Sequence, residues 1–196
     1  MSIDLSPLRI VDPIPTLDQF GGIITPGLGA PAQQVDRMGD RWSWSYSTPQ
    51  VDMEPEGRRW AALLVRARKT RGRMPIVQKD FIVGACGTPA IRTATATGRF
   101  LPLKGLTPGY AIREGQWLNY VAGGRPFLDL IVAPAIASAA GEATVEIANL
   151  LRAPLGVDAA INLAKPVIDG LLTGVAEWSI PVDGVTSFSF TIAEDA

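Results

Sequence analysis

The sequence predicts a mainly β protein with one amphipathic helix. Of its 196 residues, 47% are hydrophobic and 19% are charged, a balance typical of a folded chain. Its 20 glycines and 16 prolines separate short apolar runs, which favours strands joined by turns over a helical bundle. The clearest strand and the clearest helix follow each other between residues 39 and 73.

The strand is an alternation of aromatic rings and hydroxyl groups over residues 41–48. Trp42, Trp44 and Tyr46 alternate with serines, and Pro49 ends the run. Because successive side chains of a strand point to opposite faces, the three rings share one face and the serines share the other. We therefore predict a strand with one buried aromatic face.

The helix is predicted over about residues 54–68, with Asp52 as its N-cap. Trp60, Leu63 and Leu64 recur at positions i, i+3 and i+4, which makes an apolar stripe along one side. We expect this stripe to pack on the aromatic strand. The predicted core scaffold then consists of Trp42, Trp44, Tyr46, Trp60, Leu63 and Leu64.

The helix and its continuation are also basic. Seven of the 18 Lys and Arg residues lie between Arg58 and Arg73. Such a cluster is either a phosphate-facing patch or a solvated face that contacts a neighbouring subunit. The net charge of −1 and the lack of interleaved exposed aromatics disfavour nucleic acid. We expect subunit contacts through six arginines: Arg58, Arg59, Arg66, Arg68, Arg71 and Arg73.

The first part of the chain, residues 1–36, is repeatedly interrupted by proline and glycine. Short apolar pairs such as Leu8/Ile10 and Ile23/Ile24 could form strands of three or four residues, which proline limits to sheet edges or strand ends. The segment is predicted to be mostly irregular, either an ordered arm that reaches a neighbour or a loosely held terminus.

Two hairpins are predicted in the second half. Gly123-Gly124 and Asp183-Gly184 are favourable tight turns between apolar runs. The strands that these turns join are predicted over residues 115–121, 126–133, 175–180 and 185–192. Further strands are predicted over 74–77, 81–85, 86–98 (alternating from Ile91) and 143–147. Residues 155–170 are ambiguous: residues 157–163 could form a strand pair or a short helix, and Pro166 is expected to block extension.

The composition argues against catalysis. The chain has no His and a single Cys, which removes Ser-His-Asp and Cys-His arrangements and most zinc sites. Cys86 alone forms no internal disulfide and is expected to be a small apolar residue near a strand end. The carboxylates near turns are scattered singly: Asp80, Glu114, Asp129, Glu142, Glu146 and Glu177. We predict no enzyme activity, no cofactor and no metal site.

Two other functions stay open at this point. Gln116, Trp117, Asn119 and Arg125 suit a sugar site on a strand, so a carbohydrate-binding β-domain is the alternative to a structural role. A hydrolase acting on the cell wall or on polysaccharide would rest on an unrecognised carboxylate pair. The N-terminus lacks the layout of a signal peptide, and no apolar stretch is long enough to span a bilayer, so we expect assembly in the cytoplasm.

Several segments match one family by their order and spacing. They are residues 33–42 before the aromatic strand, 47–49 with the helix that carries Trp60, 72–76, 112–118, 124–128, 141–147, 151–152, Trp178 and 188–194. Taken together, the chain from about residue 33 resembles bacteriophage tail proteins of the distal-tail or minor-tail type, which form the tail-tip ring.

The resemblance implies a structural virion protein, located in the tail and assembled in the host cytoplasm. Proteins of this family form homo-oligomeric rings, usually hexameric, at the distal end of the tail tube, and connect it to tip hub or fibre proteins. They carry a β-sandwich ring domain with one helix, and some add a small β-domain. We expect residues 1–84 with 174–196 to form the ring domain and 85–173 to form a β-barrel-like insert.

Overall fold

A computed structural model describes residues 2–27, 29–174 and 182–195 of the chain. The described residues are mainly β with one α-helix, which confirms the predicted fold class. In chain order the strands are β1 (Ile3–Asp4), β2 (Val11–Asp18), β3 (Gly22–Ile24), β4 (Gln33–Val35), β5 (Arg41–Ser47), β6 (Val51–Asp52), β7 (Gly72–Pro75), β8 (Gly87–Ile91), β9 (Phe100–Leu106), β10 (Ala111–Ile112), β11 (Trp117–Ala122), β12 (Arg125–Leu130), β13 (Ala135–Ile136), β14 (Ala143–Glu146), β15 (Ile161–Asn162), β16 (Val167–Thr173), β17 (Val185–Thr186) and β18 (Ser189–Ala193). Helix α1 (Arg58–Lys69) lies between β6 and β7. The strand predicted over 175–180, with Glu177 and Trp178, lies outside the described residues.

The largest described sheet has six strands in the order β1-β7-β16-β18-β5-β2. β1 runs parallel to β7, whereas the pairings of β16 with β7 and of β18 with β16 and β5 are antiparallel. In the last of these, Trp44 lies opposite Ile192 and Tyr46 lies opposite Phe190. The register places aromatic and aliphatic side chains of both strands on one face.

The two faces of this sheet differ in polarity. Trp44 and Tyr46 are each 3% exposed, and their rings stack with centroids 6.0 Å apart. On the opposite face the Ser45 and Thr191 hydroxyl oxygens lie 2.9 Å apart. The predicted separation of rings and serines onto opposite faces is therefore confirmed, although Ser43 is itself buried.

Helix α1 begins later than predicted, at Arg58 instead of about residue 54. Glu54 has extended backbone angles, φ −119° and ψ 124°, because a residue before proline is disfavoured in the helical region. A π-helical turn over Met53–Gly57 makes the connection, and Asp52 makes no side-chain capping hydrogen bond. The N-cap prediction was wrong for this reason.

The helix lies against β1, β7 and β16. The polar face of these strands is open to solvent, because Leu171 and Arg73 on that face are exposed. Helix α1 therefore covers the opposite, apolar face. We expected its stripe to pack on the aromatic strand β5. The strands beneath the helix are instead at the other end of the same face, because β16 and β18 separate β7 from β5 in the sheet order.

Strand β16 corrects the interpretation of residues 155–170. Val167–Thr173 forms a strand inside the main sheet, directly after the proline that we expected to block extension. The strand includes Gly170, which lies opposite Gly72 of β7. A Cβ atom at position 170 would come within 2.0 Å of the Ala193 carbonyl oxygen, so the close approach of backbone to backbone requires glycine there.

We expect Gly170→Ala to lower the free energy of unfolding by about 3 kcal/mol, because the obstructing atom belongs to the backbone and cannot move aside like a side chain. Chemical denaturation measures the loss. Gly156→Ala is the matched control, since no atom lies within 4 Å of a Cβ built there. Equal stability of the two variants would contradict the packing of β16 inside the sheet.

The chain divides into two compact units, and both are discontinuous in sequence. The first lies within residues 1–16, 42–77 and 167–195, and the second within 17–41 and 78–166. These boundaries differ from the predicted division into 1–84 with 174–196 and 85–173.

The physical reason for the difference is pairing within each unit. Residues 167–173 belong to the first unit because β16 pairs with β7 and β18. Residues 17–41 and 78–84 belong to the second, where Asp36 forms an ion pair with Arg99, and Gln78 Oε1 accepts a hydrogen bond from the Trp117 amide at 2.9 Å.

The second unit contains several small sheets around one core. β8, β9 and β14 form a three-stranded sheet, as do β11, β12 and β15. The Gly123-Gly124 hairpin between β11 and β12 is confirmed, with Ala122 opposite Arg125. The strand predicted over 81–85 was wrong, and the strand predicted over 86–98 is present only in its first part, as β8. Gly84 and Gly98 have φ of +70° and +107°, which turns the backbone out of an extended path.

The N-terminal segment is more ordered than predicted. β1 joins the main sheet, and β2 extends over eight residues at the sheet's edge despite two prolines. This edge position agrees with the expected effect of proline, which lacks a backbone donor for a second neighbour. The predicted arm is therefore a strand followed by the hairpin of β3 and β4.

Candidate assembly surface

The hairpin of β3 and β4 presents apolar side chains in the open. Ile23 is 72% exposed and Ile24 is 57% exposed. These adjacent residues point to opposite faces of the strand, so neither face of the hairpin is covered. Val35 on the paired strand is also exposed. We call Ile23, Ile24 and Val35 the hairpin patch.

Such a hairpin is not expected to be stable by itself. A two-stranded hairpin in water is marginal without a third strand or a packed face. Here the antiparallel register pairs Ile23 with Gln34 and Ile24 with Gln33. The backbone comes close at the base, where a Cβ at Gly21 would lie 2.5 Å from the Val35 carbonyl oxygen. The geometry suits a projection that a neighbouring surface completes.

The basic face of α1 is solvent-exposed. Arg59, Arg66 and Arg68 are all exposed, and Arg66 and Arg68 lie in the last turn, where a cation complements the helix dipole. Arg58 forms an i,i+4 pair with Glu54 at 2.8 Å, with both side chains more than two-thirds exposed. These four residues of the predicted contact set remain available on the surface.

The other two predicted contact residues have an internal role. Arg71 Nε donates to Asp169 Oδ1 at 2.9 Å, and Arg73 Nε donates to Asp169 Oδ2 at 2.8 Å. Arg71 also pairs with Asp195, just beyond the end of β18. The Asp169 side chain is 4% exposed, so these arginines hold the chain's own strands together. We call these four residues the Asp169 cluster.

The cluster shifts the pKa of its carboxylate. Burial of Asp169 raises its pKa, but hydrogen bonds from Ser2, Arg71 and Arg73 and the charge of Arg73 outweigh burial, and the pKa lies below its ordinary value. The hydrogen bond to Asp195 is the main reason that the pKa of Arg71 is raised. Asp169 and Arg71 are therefore both charged at neutral pH.

The predicted core residues are placed as follows. Trp42 is 8% exposed and Trp60 is 5% exposed, while Leu64 is fully buried. Leu63 is half-buried beside a groove that also borders Pro7. Burial raises the pKa of the Tyr46 hydroxyl above its ordinary value, because the phenolate would be desolvated.

Two of the four residues proposed for a sugar site are buried. Gln116 is 1% exposed, and its Nε2 donates to the Tyr110 hydroxyl while its Oε1 accepts from the Arg113 amide. Asn119 is 0% exposed. Trp117 and Arg125 are half-buried. The structure therefore does not bring these four side chains together as a surface for a glycan.

The carboxylates considered for catalysis are engaged or scattered. Asp129 is 0% exposed, and its Oδ1 accepts from the Leu130 amide and from Asn149 Nδ2. Glu142 forms an ion pair with Arg92. Within residues 2–27, 29–174 and 182–195, no group of three or more acidic, His or Cys residues is placed to hold a metal ion. Cys86 is buried immediately before β8.

Comparisons with known proteins leave the resemblance to phage tail proteins as a prediction. No protein-family model matches the chain, and no curated protein is similar enough to count as a match. Within the part of the chain that the structure describes, no helix is long and apolar enough to cross a membrane.

Sequence reasoning found one feature of this surface in part and missed another. A short strand at Ile23 and Ile24 was predicted as an option within the mostly irregular N-terminal segment, but its pairing with β4 was not predicted. The Asp169 cluster had no local sign, because Arg71 and Asp169 are 98 positions apart.

Proposed function

We propose that this protein is a non-catalytic structural component of a bacteriophage tail. It forms a homo-oligomeric ring at the distal end of the tail tube and connects the tube to the tip hub or fibres. The order and spacing of the segments that resemble distal-tail and minor-tail proteins support the tail assignment.

The observation that carries the assembly role is the hairpin patch. Its isoleucines are exposed on both faces of a two-stranded hairpin, an arrangement that gains stability when a second surface covers it. In a closed ring, a neighbouring copy of the same chain covers the hairpin patch of every subunit. The exposed arginines of α1 provide polar contacts at such an interface, where Arg is enriched.

The test is the oligomeric state of the full chain by sedimentation velocity over a wide concentration range. We expect the unmodified protein to form a ring-sized species. Ile23→Asp combined with Ile24→Asp should weaken association by about 100-fold or more, because closing the interface would bury uncompensated carboxylates.

The control carries the same number of new charges elsewhere in the second unit. Ile82 and Ile136 are 86% and 73% exposed, and changing both to Asp should leave the oligomer intact. Circular dichroism verifies that each variant is folded. The proposed assembly role would be contradicted if the unmodified protein stayed monomeric at all concentrations or if the hairpin variant still assembled. Antibody labelling of intact particles away from the tail tip would remove the tail assignment.

A further inference from the structure

A pocket in the second unit has the composition of a ligand site. It has a volume of about 230 Å³. Its lining consists of Met38, Gly39, Arg41, Phe127, Arg152 and Ala153. Two guanidinium groups thus share a wall with a phenyl ring and a thioether, and none of the lining residues is acidic.

Arg41 is a cation of this pocket whose guanidinium is only partly satisfied by the protein. Its guanidinium carbon lies 4.3 Å from the centre of the Phe20 ring, which is a cation–π contact. Its Nε atom is buried and has no hydrogen-bond acceptor among the described residues. The adjacent Asp40 carboxylate accepts a hydrogen bond from the Phe20 amide at 2.7 Å. A partly desolvated guanidinium of this kind attracts an anion more strongly than one in bulk water.

The opposite part of the wall is held in place. Arg152 Nη2 donates to the Leu128 carbonyl oxygen at 3.3 Å, and the Arg152 guanidinium lies 4.9 Å from the centre of the Phe127 ring. Arg125 lies 5.9 Å from the same ring. Phe127 itself stacks on Tyr120 with ring centres 5.3 Å apart. These contacts fix the apolar wall before any ligand enters, which lowers the entropic cost of binding.

We propose that this pocket binds a carboxylate carried on a planar or apolar body, with Arg41 as the main anion contact. The planar fork of guanidinium donors matches a carboxylate, and Phe127 and Met38 contact the body of the ligand. Inorganic phosphate fits less well, because the apolar wall would desolvate its charge without returning hydrogen bonds. This site is independent of the proposed role in a tail.

The test is ligand-observed ¹⁹F NMR on the full chain, which works for a monomer or a ring. The probes are 4-fluorobenzoate and its neutral isostere 4-fluorobenzamide. We expect saturable binding of the benzoate in the millimolar range, as suits so small a ligand, and at least about tenfold weaker binding of the benzamide. Inorganic phosphate should not displace the benzoate. Equal binding of both fluorinated probes would overturn the proposal.

Variants locate the site. Arg41→Gln should weaken benzoate binding about tenfold, and Arg41→Lys should weaken it less because the charge remains. Arg113→Gln is the matched control: Arg113 also stacks on a phenylalanine, 5.1 Å from the Phe81 ring centre, but does not line the pocket. Met38→Glu adds a carboxylate at a residue that is 57% exposed and should abolish binding without disturbing the core. Unchanged binding in Arg41→Gln or in Met38→Glu would refute the assignment.

Discussion

Replacing Trp60 with alanine is expected to lower the free energy of unfolding of the first unit by about 3–5 kcal/mol. Trp60 is 5% exposed and lies one turn before the fully buried Leu64 on the side of α1 that faces the sheet. Truncation removes a large apolar contact and leaves a cavity. A groove of about 240 Å³ already borders Trp60 and would become larger.

Urea denaturation followed by far-ultraviolet circular dichroism gives the measurement, with the transition of the first unit analysed separately if the two units unfold apart. Val65→Ala is the matched control, because Val65 is 41% exposed on the same helix. We expect its effect to stay within about 0.5 kcal/mol. If Trp60→Ala is as stable as Val65→Ala, the helix is not the cover of the sheet.

Replacing Asp169 with asparagine is expected to lower the free energy of unfolding by about 3 kcal/mol. This is at the lower end of the cost of breaking a buried ion pair, because Arg71 and Arg73 stay partly hydrated. The change keeps the shape of the side chain and removes its charge. Arg71 and Arg73, which flank Gly72 on the β7 side of β16, then lack the carboxylate that binds both. The same denaturation experiment measures the loss.

An exposed ion pair provides the comparison for this variant. Glu54→Gln removes the partner of Arg58, and both of those side chains are more than two-thirds exposed. We expect a change of less than about 0.5 kcal/mol. If the two substitutions have similar effects, the Asp169 cluster is not a stabilising element of the sheet.

The dependence of stability on pH provides a second readout of the cluster. The pKa of folded Asp169 lies below its ordinary value of 3.8. The carboxylate therefore contributes its full stabilisation above the unfolded pKa, and this contribution is lost as pH falls from about 4 through the lower folded pKa. Asp169→Asn should have a shallower acid limb over that window. An unchanged acid limb would show that other carboxylates control it.

Local patterns predicted the elements that contiguous residues specify. The alternation of rings and serines in β5 predicted its buried face, and Gly123-Gly124 predicted the hairpin of β11 and β12. The apolar spacing of α1 predicted which side of the helix is buried, although proline at position 55 delayed its start. The candidate assembly surface was predicted in part, through the exposed arginines of α1.

By itself, the sequence determined a mainly β chain, one amphipathic helix and an aromatic strand, because periodicities of 2 and 3.6 residues are local properties of the backbone. The tertiary structure alone decided that β16 enters the main sheet and that α1 covers β1, β7 and β16. It also decided that Arg71 and Arg73 bind Asp169 within the chain. Strand pairing joins segments far apart in sequence, and the choice among possible partners depends on packing that no single segment encodes.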